Sequence, residues 1–310
     1  MPDVSLILGR IQTKETSEFQ NRIPTIGMES PRQQIHPFPC IMQSKSACHH
    51  GISRMPSSQN ATQHLRNSAR VFIHLALLWP AVLWLAWLAL SQNNFFYPED
   101  YRLLDIPATI EKYVPQNRHG KQNFIETNSK EHTRLFAAIT HAINHEGRGL
   151  AQLHYFAPNG RDLGVFLTTD EVTHLTDVAR VVNKGDDIGL IALLAWLSLI
   201  GASVWRRSPL PSFISFATGT LITLIITTVI VLAVGPMRVF DDFHRSVFPA
   251  NHPWFFYYQD SLMTTFMQAP NLFGLIVIWW LAVAGMLLLM LWSGAKGLIA
   301  LRNPNQSGEK

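Results

Sequence analysis

The chain has 310 residues, and only 15% of them are charged while 47% are hydrophobic. That charge content is well below the roughly 25% of soluble domains, so the composition points to a membrane protein. The formal charge of +4 is carried without any Lys/Arg cluster interleaved with stacking aromatics, which argues against nucleic-acid binding.

Residues 1–68 are rich in Ser, Gln, Asn, His and Pro and lack a sustained apolar period, so they are expected to form a disordered cytoplasmic tail. Met28, Met42 and Met55 are alternative starts, and residues 1–68 are open to being a misassigned beginning. No apolar core near Met1 marks a signal peptide. Cys40 and Cys48 both lie in this segment, so no disulfide framework is expected to hold the fold.

The remainder, 69–310, reads as a four-helix membrane domain. Four apolar runs are long enough to cross about 30 Å of hydrocarbon: Val71 to Leu90, Ile188 to Trp205, Phe213 to Val234, and Phe273 to Trp292. Arg66 and Arg70 precede the first, Arg206 and Arg207 join the second to the third, and Lys296 and Arg302 follow the fourth. By the bias of basic residues toward the cytoplasm, these regions and the N-terminus face inward. Residues 93–187 and 236–272 then face outward as a cap and a second outer loop.

The cap reads as a small α+β unit. A helix is expected from Pro98 to Tyr113 and another from Lys130 to His145, ended by Gly147. Residues 151–156 and 163–168 alternate like strands around Pro158-Asn159-Gly160, a hairpin signal. Thr168-Thr169-Asp170-Glu171 is a capping box that opens a helix leading to the second span. The fold class is therefore mainly α: a four-helix transmembrane bundle with a small α+β outer cap.

Chemistry-bearing residues gather on the outer side. His174 and Asp177 are three apart on the capped helix, where a carboxylate is able to hold an imidazole in one tautomer. His244 stands in the second outer loop beside Asp241 and Asp242, followed by Asn251, Trp254 and Asp260, which are expected to shape or anchor a substrate surface. A plain polar helix face and an aromatic belt account for the same spacings. His252 is an alternative to His244. His141 and His145 have the spacing of a helical metal pair, but no HExxH pattern or further Cys/His set accompanies them, so an exposed helix face is favoured and no metal is assigned. His74 lies within the first span and is expected to face the bundle. No nucleophile elbow, phosphate-binding loop or dinucleotide fingerprint is present.

Two short elements carry a family likeness. His174-Leu175-Thr176-Asp177-Val178 resembles an H-M-x-D-V motif, with Leu175 in place of Met. Phe243-His244, Phe248, Asn251 and Trp254 resemble an F-H-x-x-x-F-x-x-N-x-x-W motif, and Asp260, Phe266, Pro270 and Phe273 suit the run into the last span. Together they resemble the four-span lipoprotein intramolecular transacylase family over roughly residues 71–300. The chain departs at Asn251-His252-Pro253-Trp254, where the family often has an Asp.

The likeness implies a multi-pass protein of the bacterial inner membrane, with membrane lipid and a diacylglyceryl lipoprotein as partners. The implied reaction moves the sn-2 acyl chain of that lipoprotein onto the α-amino group of its N-terminal cysteine, without metal, nucleotide or other cofactor. The attacking amine must be free of its extra proton, so a base is needed. The assignment is His174 as base, oriented by Asp177, and His244 as acid or oxyanion donor; the exchanged roles stay open. Two rivals remain: a non-enzymatic envelope protein that binds a partner through its cap, and a metal-dependent enzyme built on the outer histidines.

Overall fold

The computed structural model describes residues 58–269 and 271–302. The expected tail over 1–57, with both cysteines and the alternative starts, lies outside the described residues, as does Pro270. Residues 58–68, expected to belong to that tail, instead begin the first helix.

Four helices are long and apolar enough to cross a membrane: α1 (Ser58–Ser91), α5 (Thr169–Trp205), α6 (Phe213–Val234) and α9 (Asn271–Arg302). Between α1 and α5 lie α2 (Tyr97–Leu103), α3 (Ile106–Tyr113), α4 (Ser129–Ile143), β1 (His154–Phe156) and β2 (Asp162–Val165). Between α6 and α9 lie α7 (Pro236–Val247) and α8 (Leu262–Met267). The expected mainly α class, with four spans and a strand pair in the cap, is what the chain adopts.

Within the bundle α1 is the central helix and packs on α5, α6 and α9. Pro80 sits inside α1; neighbouring helices re-satisfy the backbone that a proline frees. Leu78, Val82, Trp196, Phe216, Leu288 and Trp292 form the buried seam. Phe216 stacks on Trp292 at 3.8 Å between centroids, and His74 meets the same Trp292 edge-on at 5.3 Å, so His74 does face the bundle. At the end nearer the cap α1 and α5 touch so closely that a Cβ on Gly189 would lie 2.3 Å from the Trp84 side chain. The Trp84 indole N–H donates to Asp186 beside that contact, at 2.9 Å.

A helix of 37 residues extends about 55 Å, far more than the hydrocarbon thickness. The apolar stretch of α5 starts at Ile188, so its first five turns, carrying His174 and Asp177, stand outside the lipid as part of the cap. The capping box forms as expected: Thr168 Oγ1 accepts from the Glu171 N–H at 3.3 Å, and Glu171 accepts from the Thr168 N–H at 2.6 Å.

The cap differs locally from expectation. The single helix expected over 98–113 is two, α2 and α3, because Pro107 has no N–H to donate to the Leu103 carbonyl; Asp105 takes a left-handed conformation at the break (φ 50°). The strands are shorter than expected, pairing antiparallel with His154 opposite Val165. The expected hairpin tip is present, with Gly160 at φ 82°.

The segment between α6 and α9 contains two helices. The short α8 is buried throughout and plugs into the cap, where Phe266 meets Tyr97, Phe124 and Phe166, and the Tyr97 hydroxyl donates to the Phe266 carbonyl at 2.9 Å. The longer α7 begins right after α6, where Gly235 (φ 95°) and Pro236 break the chain direction. It buries no residue: Met237, Phe240, Phe243 and Val247 are exposed on one side, Arg238, Asp242 and Arg245 on the other. An amphipathic helix joined to the end of a membrane span has the pattern of one lying in the membrane surface.

Candidate active site

Two segments that flank the spans, the start of α5 and the stretch between α6 and α9, converge to make the site, and a buried carboxylate joins them. Glu171 has no exposed surface; its Oε1 accepts from the Ser261 hydroxyl at 2.5 Å and the Met263 N–H at 3.3 Å. With Thr168 on the other oxygen, the first turn of α5 clamps the start of α8. The 13 residues from Phe248 to Asp260 are thereby tied at one end to α7 and at the other to α5.

His174 and His244 meet across one aromatic ring. His174, on α5, lies edge-on to Phe248 at 5.2 Å between centroids, and Phe256 flanks it at 5.9 Å. His244, the last-turn residue of α7, is 5.4 Å from the same Phe248 and 4.7 Å from Trp254. Burial, and after it the nearby His244, lowers the His174 pKa to about 4, with Asp177 opposing. The His174 ring is therefore neutral at physiological pH, and its Nδ1 is buried without a hydrogen-bond partner.

The other nitrogens are better defined. His244 Nδ1 lies 2.8 Å from the Phe240 carbonyl one turn back on α7. A carbonyl only accepts, so Nδ1 carries a proton, and Nε2 is left without a partner among the described residues. The expected contact between His174 and Asp177 is not made. Asp177, buried on α5, accepts instead from His252 Nδ1 at 2.5 Å and from Arg180 one turn further along the helix. The reason is geometric: three-residue spacing puts both side chains on one face, but the short Asp arm is drawn to Arg180 and to the loop folded over it.

Of the expected substrate-surface residues, Trp254 packs on His244. Asn251 is exposed and makes no hydrogen bond among the described residues. Asp260 pairs with Arg118 of the cap at 3.3 Å, and the Arg118 N–H also reaches the Gln259 carbonyl at 2.9 Å. His141 and His145 stack at 4.0 Å, with His145 Nδ1 2.7 Å from the His141 carbonyl; no third carboxylate, thiol or imidazole joins them in a metal-binding group among the described residues.

Sequence reasoning missed the partner of His252 and the long-range work of Glu171. No local signal could find them, since the contacts join residues 75 and 90 positions apart.

Chemically, the site offers two imidazoles against one ring, and a carboxylate–imidazole pair formed by the same helix and loop. The exposed apolar side chains Met237, Phe240 and Phe243 lie on the same helix as His244. Such a set suits proton transfer to and from a substrate held at a lipid boundary.

Residues 72–269 match the family described as lipoprotein intramolecular transacylase Lit. Two solved structures are similar in fold, both of the membrane integral lipoprotein intramolecular transacylase Lit from Bacillus cereus. One is a variant with a single histidine-to-arginine substitution; it is 12% identical, with a TM-score of 0.54, and the match covers 79% of this chain and 97% of that one. The other is 14% identical, with a TM-score of 0.49, covering 75% and 97%. No curated protein sequence matches the chain.

Proposed function

Because the chain belongs to the lipoprotein intramolecular transacylase family, and is so a membrane transacylase of lipoproteins, we propose the reaction in detail. The protein moves the sn-2 acyl chain of a diacylglyceryl lipoprotein onto the α-amino group of the same N-terminal cysteine. The observation that carries this reading is the approach of His174 and His244, from separate helices, to one ring, Phe248.

His244 is the base. Its Nδ1–H is committed to the Phe240 carbonyl, so Nε2 is free to take the proton that the amine loses as its nitrogen attacks the ester carbonyl. His174, neutral and partly buried, serves the developing oxyanion as a donor, and the exposed amide of Asn251 is a second donor within the same loop. The amide bond forms as the bond to the sn-2 oxygen breaks. Donor and acceptor belong to one molecule, so binding in one pose supplies much of the rate. Trp254 walls the site beside His244, and Asp260, paired with Arg118, anchors the loop.

The apolar side of α7, Met237, Phe240, Phe243 and Val247, supports a place in the outer surface of the membrane, at the depth of the ester. The flanking arginines and lysine support the rest of the orientation: N-terminus inside, cap and site outside, in a bacterial inner membrane.

Expression of the protein with a diacylglyceryl lipoprotein, followed by mass spectrometry of the lipoprotein N-terminus, tests the reading. Conversion to the N-acylated lyso form is expected, and its loss in His174→Ala and His244→Ala. Silent substitutions together with a stable co-purifying partner would favour a non-enzymatic binding protein instead.

A further inference from the structure

His252 and Asp177 form a pair that the proposed reaction does not yet use. Asp177 is 5% exposed at its side chain, and His252 keeps 27% of its side chain accessible. The carboxylate holds Nδ1–H, which turns the other nitrogen, Nε2, away from Asp177. The pair is tied through the chain to both histidines: Asp177 is one turn from His174 on α5, and Trp254, two residues beyond His252, packs on His244.

The two proton-transfer sites are not equivalent. His244 leans on a backbone carbonyl and has no carboxylate partner among the described residues, so nothing there holds a charge on the ring and Nε2 is placed to accept a proton. His252 leans on a buried carboxylate, which compensates the ring's charge when both nitrogens carry protons; this is the logic by which a carboxylate supports an imidazolium in a serine-protease triad. Transfer of an acyl chain from an alcohol oxygen to an amine needs both services. The amine gives up a proton, and the departing glyceryl oxygen must gain one.

The geometry points to His252 as the acid for the leaving sn-2 oxygen, with Asp177 as its positioning residue. This rests on the acyl-transfer reading above. In the step, the cysteine nitrogen bonds to the ester carbon and passes its proton to His244 Nε2. The bond from that carbon to the sn-2 oxygen breaks, and His252 Nε2–H protonates the oxygen to leave a free hydroxyl. Afterwards His244 releases a proton and His252 takes one, so the enzyme returns unchanged.

The test uses the purified full-length protein with two synthetic lipopeptides, one carrying the natural sn-2 oxygen ester and the other an sn-2 thioester. A thiol leaves as a thiolate near neutral pH and does not need an acid. His252→Ala is expected to lose on the order of 10²–10⁴-fold on the oxygen ester and to stay within about tenfold of wild type on the thioester. His252→Gln, whose side-chain amide keeps a donor toward Asp177 but has no proton to give, should match Ala on both substrates. Equal losses on both substrates, recovery of oxygen-ester activity in His252→Gln, or no loss at all would each overturn the assignment. Failure of the wild-type protein on both substrates would instead overturn the acyl-transfer reading itself.

Discussion

Replacing Glu171 by Ala removes the carboxylate that joins α5 to the stretch between α6 and α9. Three donors would lose their acceptor: the buried Ser261 hydroxyl and Met263 N–H, and the half-buried Thr168 N–H. A buried donor without a partner costs roughly 1–3 kcal/mol, so the three together amount to about 3–9 kcal/mol, toward the lower end because Thr168 is half-buried and water reaches part of it. At about 2–4 °C per kcal/mol for a domain of this size, the melting temperature should fall by roughly 10 °C. The loss should also be local. Amide exchange over α8 and the loop before it should accelerate more than exchange in α4, because Glu171 is what holds the start of α8 to α5. Glu171→Gln keeps one acceptor oxygen and should recover about half of the difference. The measurements are thermal unfolding and hydrogen exchange of the detergent-solubilised protein. An unchanged melting temperature, or exchange raised equally in α4 and α8, would refute the clamp.

Other expectations follow from the same contacts. Gly189→Val forces side-chain atoms into Trp84, so α1 and α5 must separate at the end nearer the cap; about 1–3 kcal/mol of stability should be lost, read by thermal unfolding, while Trp84→Ala in the Gly189→Val background should restore part of it. Phe248→Ala removes the ring that both His174 and His244 contact, and should lower transacylation at least tenfold, with Phe248→Leu intermediate. His132, in α4, is buried with its nitrogens against the Tyr101 and Thr127 hydroxyls, and burial pushes its pKa down to about 4, with Glu131 opposing. The unfolded chain then binds a proton that the folded chain refuses. Stability from this group is full above pH 6.5, falls as the pH drops toward 4 and levels off below, a loss of about 3 kcal/mol that His132→Gln should remove from the pH–stability curve.

How much of this was legible in the sequence depended on the range of each interaction. The spans were legible because lipid offers backbone groups no hydrogen bonds, so a run such as Phe213–Val234 has few alternatives to a helix. The capping box at Thr168 and the turn at Gly160 were equally visible, since each is decided within four residues. The helix α7 has its signal in the three- and four-residue spacing of Met237, Phe240, Phe243 and Val247, a short apolar period between two far longer ones.

The candidate site was only half visible. The motifs carrying His174 and His244 named the two imidazoles that come to share Phe248. Asp177 lies three residues from His174 on one helix, a local spacing that fits a pair. The fold gives it to His252, a partner that depends on how the loop closes over α5. The same closure explains Glu171, whose local role as a cap hid its long-range one.

The central claim is that His174 and His244 act together on an ester at the outer membrane surface. Mass spectrometry of the lipoprotein N-terminus, comparing wild type with His174→Ala, His244→Ala and the double variant at matched membrane levels, tests it most directly. The account predicts N-acylated lyso-lipoprotein with the wild type, and unconverted diacylglyceryl lipoprotein with all three variants. Full conversion by either single variant would contradict it.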